Sequence, residues 1–152
     1  MSDLTNYAEN KLIDLLMRAV DPGLPSSWYI GLLTAITDAE VGTVTEVSGG
    51  SYARVATVRS LTSWCGTQAA GSTTSSNGTS GVSSNNAALT FPAPTADWGT
   101  IVGVGLYSAS TGGTPWAVHV LVNSVGATIT RAVLSGDAAP FFDVAALRFA
   151  LD

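Results

Sequence analysis

The sequence predicts a mainly β protein, a β-sandwich or jelly-roll-like domain with one N-terminal amphipathic helix and one long Ser/Gly-rich loop. Three observations predict it. Short runs of β-branched and aromatic residues recur along the chain, separated by Gly, Pro and Asn turns. One stretch, at the N-terminus, carries helical periodicity instead. The chain has 152 residues, of which 46% are hydrophobic. That is one domain of ordinary size, able to bury a core without a disulfide or metal.

Residues 2–20 read as the helix. Leu4, Tyr7, Ala8, Leu12, Leu15, Leu16 and Ala19 recur at i, i+3, i+4 spacing, with Asp3, Asn6, Glu9, Asn10 and Asp14 opposite. Ser2 or Asp3 is the expected N-cap. Acidic residues early and Arg18 late suit the helix dipole. Asp21-Pro22-Gly23 stops the helix and Pro25 prevents its resumption. The helix covers the end or face of a sheet, or docks onto a neighbouring subunit.

The sandwich is expected over 27–152. Its strands are read at Trp28–Thr34, Tyr52–Val58, Ala87–Phe91, Thr100–Tyr107, Trp116–Val122, Thr128–Thr130 and Asp143–Leu151. Between Arg59 and Asp97 no residue is charged, and 66–86 is mostly Gly, Ser, Thr, Ala and Asn. This stretch is read as an extended arm or hairpin reaching over a neighbour, with a solvent-ordered loop as the alternative.

Charge narrows the function. Charged residues make up 11% of the chain and the net charge is −5, against about 25% charged in an average soluble domain. An acidic chain with six scattered cations lacks the basic stripe that nucleic acid requires. No apolar run approaches the ~18–20 residues of a membrane span. The N-terminus carries no basic segment of the secretory type, so synthesis in a cytoplasm is expected. A surface so poor in charge is expected to be covered in part by other chains.

The chemistry-bearing residues point away from catalysis. The lone histidine, His119, sits within a strand pattern beside Ala117 and Leu121 and reads as structural. The lone cysteine, Cys65, is far in sequence from cations and also reads as structural. The carboxylates Asp38, Glu40, Glu46, Asp97, Asp137 and Asp143 show no spacing that would hold a pair across a cleft. Gly49-Gly50 and Gly103-x-Gly105 lack the strand–loop–helix context of phosphate loops. No cofactor and no metal are expected.

Arg54 stands out, a cation inside an apolar strand just after Tyr52. A guanidinium there needs a carboxylate or several carbonyls. Glu46, or Asp97 just before Trp98, is the candidate partner. Arg54, Asp97, Trp98, Glu46 and Tyr52 are therefore the structural or interface candidates, in a pair within the chain or a bridge between subunits.

The stretches Glu46-Val47-Ser48-Gly49-Gly50-Ser51-Tyr52-Ala53-Arg54-Val55 and Asn86–Thr100, with its Phe91-Pro92-Ala93-Pro94 and Asp97-Trp98-Gly99, resemble the two signature segments of a family of small virion proteins from tailed bacteriophages and prophages. Its members are commonly labelled phage tail fibre or minor structural proteins. Leu4–Leu12, Trp28–Leu32, Gly105–Gly113 and the closing Leu151-Asp152 are similar to it as well. The resemblance implies a non-enzymatic structural component of the virion. Its partners would be itself, as a homo-oligomer, and other virion proteins such as major capsid or tail subunits, without nucleic acid or membrane. Within that class a capsid decoration or cement protein, or a tail or collar component, is the first expectation. The alternative is a tail-fibre or tail-tip module binding a host surface glycan, with Trp64, Trp98 and Trp116 as candidate stacking residues; burial in the core is the competing role for them.

Overall fold

The computed structural model describes residues 4–151. The helix α1 spans Asn6–Arg18. Eleven strands follow: β1 Ser27–Asp38, β2 Thr43–Glu46, β3 Val55–Val58, β4 Val82–Ser84, β5 Leu89–Thr90, β6 Gly99–Ile101, β7 Gly103–Tyr107, β8 Ala117–Val120, β9 Arg131–Val133, β10 Phe141–Phe142 and β11 Arg148–Ala150. The fold is mainly β, as expected.

One five-stranded antiparallel sheet organises the molecule. Its order is β2-β1-β7-β8, with β3 also paired to β1. The long β1 is the spine. On one edge it pairs with β3 through Ser27–Ile30 and with β2 through Leu33–Asp38; on the other it pairs with β7 through Tyr29–Leu33. Alternation along the strands sends Ile30, Leu32, Val104, Leu106 and Ala117 to one face, where they join the main core. Against that face lie Leu89, Phe91, Trp98, Ile101, Val133 and Leu147 from the second half of the chain.

The second half does not form the opposing four-stranded sheet of a jelly roll. Its strands pair two by two, as β5–β10, β4–β11 and β6–β9. Each is only two or three residues long, because Pro92, Pro94 and Pro140 and the turns at Gly126 and Gly136 interrupt the ladders. The run read as one strand at 100–107 is two. Val102 breaks it, leaving β6 in a ribbon and β7 in the main sheet. The strand expected at Asp143–Leu151 begins only at Arg148, since Ala145 adopts a left-handed backbone at φ 61°. The segment read as a strand at 128–130 contributes an isolated bridge, Val122 to Thr128, and β9 starts just after it.

The Ser/Gly-rich stretch 66–86 is stitched to itself through 66–81. Thr67 Oγ1 exchanges hydrogen bonds with Gly78, Ser80 Oγ donates to Thr67 O at 2.6 Å, and Gln68 Nε2 donates to Thr74 Oγ1 at 3.0 Å. Its end, Val82–Ser84, is strand β4, bonded to β11.

The helix is anchored at its first turn. Thr5 is fully buried; its hydroxyl accepts from the Ala8 N–H at 3.4 Å and donates to Pro115 O at 2.8 Å. It is therefore the N-cap; the expected caps, Ser2 and Asp3, lie outside the described residues. Tyr7 packs edge-on against Trp116, with centroids 5.5 Å apart. Beyond the half-buried Leu12 the apolar positions are uncovered, with Leu16 76% and Met17 81% exposed. A continuous apolar face therefore projects from the body.

Candidate functional site

The candidate residues meet where β1 changes partner. Between β3 and β2, the edge of β1 at Gly31–Leu32 has no strand beside it. Tyr52 fills the break. Its hydroxyl accepts from the Leu32 N–H at 2.8 Å and donates to Glu46 Oε1 at 2.8 Å. Glu46 lies at the end of β2, and Val47 N donates to Leu32 O. A side chain thus stands in for one rung of a ladder.

Arg54 closes the arrangement. Its Nε and Nη2 donate to the two oxygens of Glu46 at 2.8 and 2.7 Å, a bidentate pair. Its Nη1 donates to the carbonyls of Ala109 and Gly112 at 2.7 and 2.9 Å, which ties down the loop after β7. The guanidinium carbon lies 3.4 Å from the centre of the Tyr107 ring. That ring covers the cross-strand pair Gly31–Gly105. A Cβ on Gly105 would come within 2.7 Å of it, and one on Gly31 would meet Glu46 Oε1 at 2.8 Å. Both positions need glycine because the ring and the carboxylate occupy the space of a side chain.

Electrostatics follow from burial. Burial pushes the Tyr52 hydroxyl well above the ordinary tyrosine range; the Leu32 N–H opposes this, and the bond to Glu46 and its charge add to it. Burial, then the charge of Glu46, pushes Tyr107 up to about 12, against the pull of Arg54. For Arg54, burial acts to lower the value, but the bond and charge of Glu46 win and raise it. Tyr52 and Tyr107 are bound to their protons more tightly folded than unfolded. Their stabilising contribution is complete below about pH 10, the unfolded value, and is lost as pH rises through the folded values. Urea unfolding should therefore show stability falling above about pH 10. Tyr52→Phe should cost about 1–2 kcal/mol at neutral pH, by leaving Leu32 N–H unpaired, and flatten that alkaline fall. An unchanged alkaline slope in the variant would refute this role.

The other two candidates serve the neighbouring turn. Asp97 does not pair with Arg54; its carboxylate accepts from the Ser135 N–H at 2.8 Å. Trp98 Nε1 donates to Gly50 O at 2.9 Å, and Thr95 N donates to that same carbonyl. Ser51 and Thr95 hydroxyls bond at 2.8 Å. The segments 46–55 and 86–100 are thus packed on one another, with Tyr52 stacked near Phe91 and edge-on to Trp98.

The remaining reactive types are engaged in structure. Asp38, Asp97, Asp137 and Asp143 each accept a backbone N–H and so hold turns. Cys65 is buried, and its sulfur bonds Ser84 through both Oγ and N–H. Burial pushes the thiol up, but those hydrogen bonds bring it below its ordinary value. His119 is half-buried, its Nδ1 2.6 Å from Val120 O. Trp98 and Trp116, only 4% and 5% exposed, cannot stack on a ligand. Among the described residues no group of three His, Cys, Asp or Glu could hold a metal ion, and no helix is long and apolar enough to cross a membrane.

Sequence reasoning missed Tyr107 and Asn85. The spacing Gly31…Gly105-x-Tyr107 signals the first only once β1 and β7 are known to pair. Asn85 is buried, and its amide bonds Ala87 O, Asp143 O and Leu147 N.

Fold and site together define a small β protein whose polar groups hold loops to a sheet, the build of a structural component. The family of the podophage GP4 fiber I protein gp80 has a model that matches residues 3–150. The chain belongs to that family, which makes it a phage structural protein of the tail-fibre type. No curated protein matches the chain.

Proposed function

We propose that the chain is a non-enzymatic component of a phage tail fibre, acting through contacts with copies of itself and with neighbouring virion subunits. The family match over nearly the whole chain carries this reading. It favours the fibre role over capsid decoration, to which the sequence analysis gave precedence. The carboxylates spent on turns and on Arg54 support a role without catalysis.

The uncovered face of α1 supports assembly. Ile13, Leu16 and Met17 are 55%, 76% and 81% exposed, and Val20 just past the helix end is 45% exposed; permanent interfaces are built on such apolar surface. Immunogold labelling of purified virions with an antibody to the chain should mark the tail. Labelling spread over the head at hundreds of copies would overturn the fibre role. The double variant Leu16→Glu, Met17→Glu should melt as the parent does, because both side chains are exposed, yet fail to enter particles. Normal incorporation would remove α1 from the assembly surface.

A further inference from the structure

A cavity of about 550 Å³ opens where the β1–β3 pair meets the β4–β11 ribbon, apart from the Arg54 cluster. Its volume falls within the ~300–1,000 Å³ of ligand pockets. Aromatic rings line it: Trp28, Trp64 and Phe149. Trp64 and Phe149 brace each other edge-on, with centroids 5.5 Å apart, and Trp28 is braced by Trp116 at 5.3 Å. Trp28, Trp64 and Phe149 are half-buried, so their exposed parts are fixed apolar faces.

The polar groups of the pocket are equally specific. Ser83 Oγ donates its proton to Cys65 O at 2.7 Å, and Ser60 Oγ donates to Ser63 Oγ at 3.0 Å. Ser60 Oγ also accepts from the Ser63 N–H and bonds the Thr62 hydroxyl, so its capacity is filled, whereas Ser83 Oγ keeps its lone pairs as acceptors. Arg59 lines the same cavity. Its exposed guanidinium, like that of Arg131, makes no ion pair or side-chain hydrogen bond among the described residues, whereas Arg18, Arg54 and Arg148 have partners. In a chain of net charge −5, a cation left unpaired beside aromatic rings is a site for an anion. The buried indole N–H of Trp64 also has no acceptor among the described residues.

We propose that this pocket binds an acidic saccharide unit. The apolar face of a pyranose ring packs on the indoles, one of its hydroxyls donates to Ser83 Oγ, and its carboxylate pairs with Arg59. The proposal deepens the fibre reading and rests on it for its setting at a host surface; the binding itself is testable apart.

The test is NMR of the full ¹⁵N-labelled chain, titrated with N-acetylneuraminate, D-glucuronate and neutral D-glucose. The acids should shift the indole N–H signals of Trp28 and Trp64 but leave Trp98, already bonded to Gly50 O. Glucose should bind about tenfold more weakly, the scale of one charge-assisted hydrogen-bond pair. Arg59→Gln should bring the acids down to the level of glucose with no change in Tm. No shift with the acids up to about 50 mM, where millimolar binding would saturate, overturns the proposal, as do equal affinities for acid and glucose, or acid binding untouched by Arg59→Gln. Indole shifts that follow protein concentration and not sugar also overturn it, and assign the pocket to a subunit contact. A chain that labels the tail yet ignores the acids loses this proposal and keeps the fibre role; acid binding by a chain absent from the tail does the reverse.

Discussion

Arg54→Ala should lower stability by about 3–5 kcal/mol, the range for removing one partner of a buried ion pair, and lower Tm by roughly 6–20 °C for a domain of this size. The Arg54 side chain is 4% exposed and the Glu46 side chain 23%, so solvent recovers little of what is lost. Truncation leaves Glu46 bonded to Tyr52 alone, frees the carbonyls of Ala109 and Gly112, and uncovers the Tyr107 ring. Four of the five guanidinium N–H groups are already committed within the chain. Little capacity remains for a bridge to another subunit, so the loss should appear in the isolated protein. Arg54→Lys should fall between the two, because an ammonium keeps the charge but cannot serve both carboxylate oxygens and lie flat on a ring. Chemical denaturation of Arg54→Ala, Glu46→Gln and the double variant should be strongly non-additive. A loss below about 1 kcal/mol for Arg54→Ala would place it with surface ion pairs and end this account of the cluster.

The sequence announced Arg54 because a cation in an apolar strand must find a partner. It left the partner open between Glu46 and Asp97, since that choice depends on where β2 ends along β1. The irregular β1–β2 pairing settles it by setting Glu46 opposite Leu33, beside the break that Tyr52 fills. Periodicity found α1 but could not tell a covered face from an open one; Leu16 and Ala8 look alike in sequence and differ completely in exposure. Strand β4 was invisible because Val-Ser-Ser in a Ser/Asn run has little strand propensity; pairing with Arg148–Ala150 makes it a strand. The jelly-roll expectation took the number of strands for their assembly, whereas the turns between them limit the later ladders to two strands each.

Asn85→Ala should cost roughly 2–5 kcal/mol, although the residue lies in the least distinctive part of the sequence. Asn85 is 1% exposed. Its Nδ2 donates to Ala87 O and Asp143 O, both at 2.8 Å, and its Oδ1 accepts from Leu147 N–H at 2.9 Å. Its backbone N–H donates to Leu147 O, and its carbonyl accepts from Ala145 N–H. One side chain thus fixes the turn that interrupts the expected C-terminal strand and delivers Leu147 to the core. Alanine removes all three side-chain bonds and leaves a buried N–H without an acceptor, at about 1–3 kcal/mol for that group alone. Hydrogen exchange should accelerate at Leu147. Asn85→Asp separates shape from bonding. It keeps an acceptor for Leu147 N–H but turns a second acceptor toward two carbonyls, so at neutral pH it should be at least as damaging as alanine. Stability should partly return in acid, once the carboxyl is protonated and can donate. An Asn85→Ala protein within about 0.5 kcal/mol of the parent, the range of an ordinary surface change, would show that the turn holds without it.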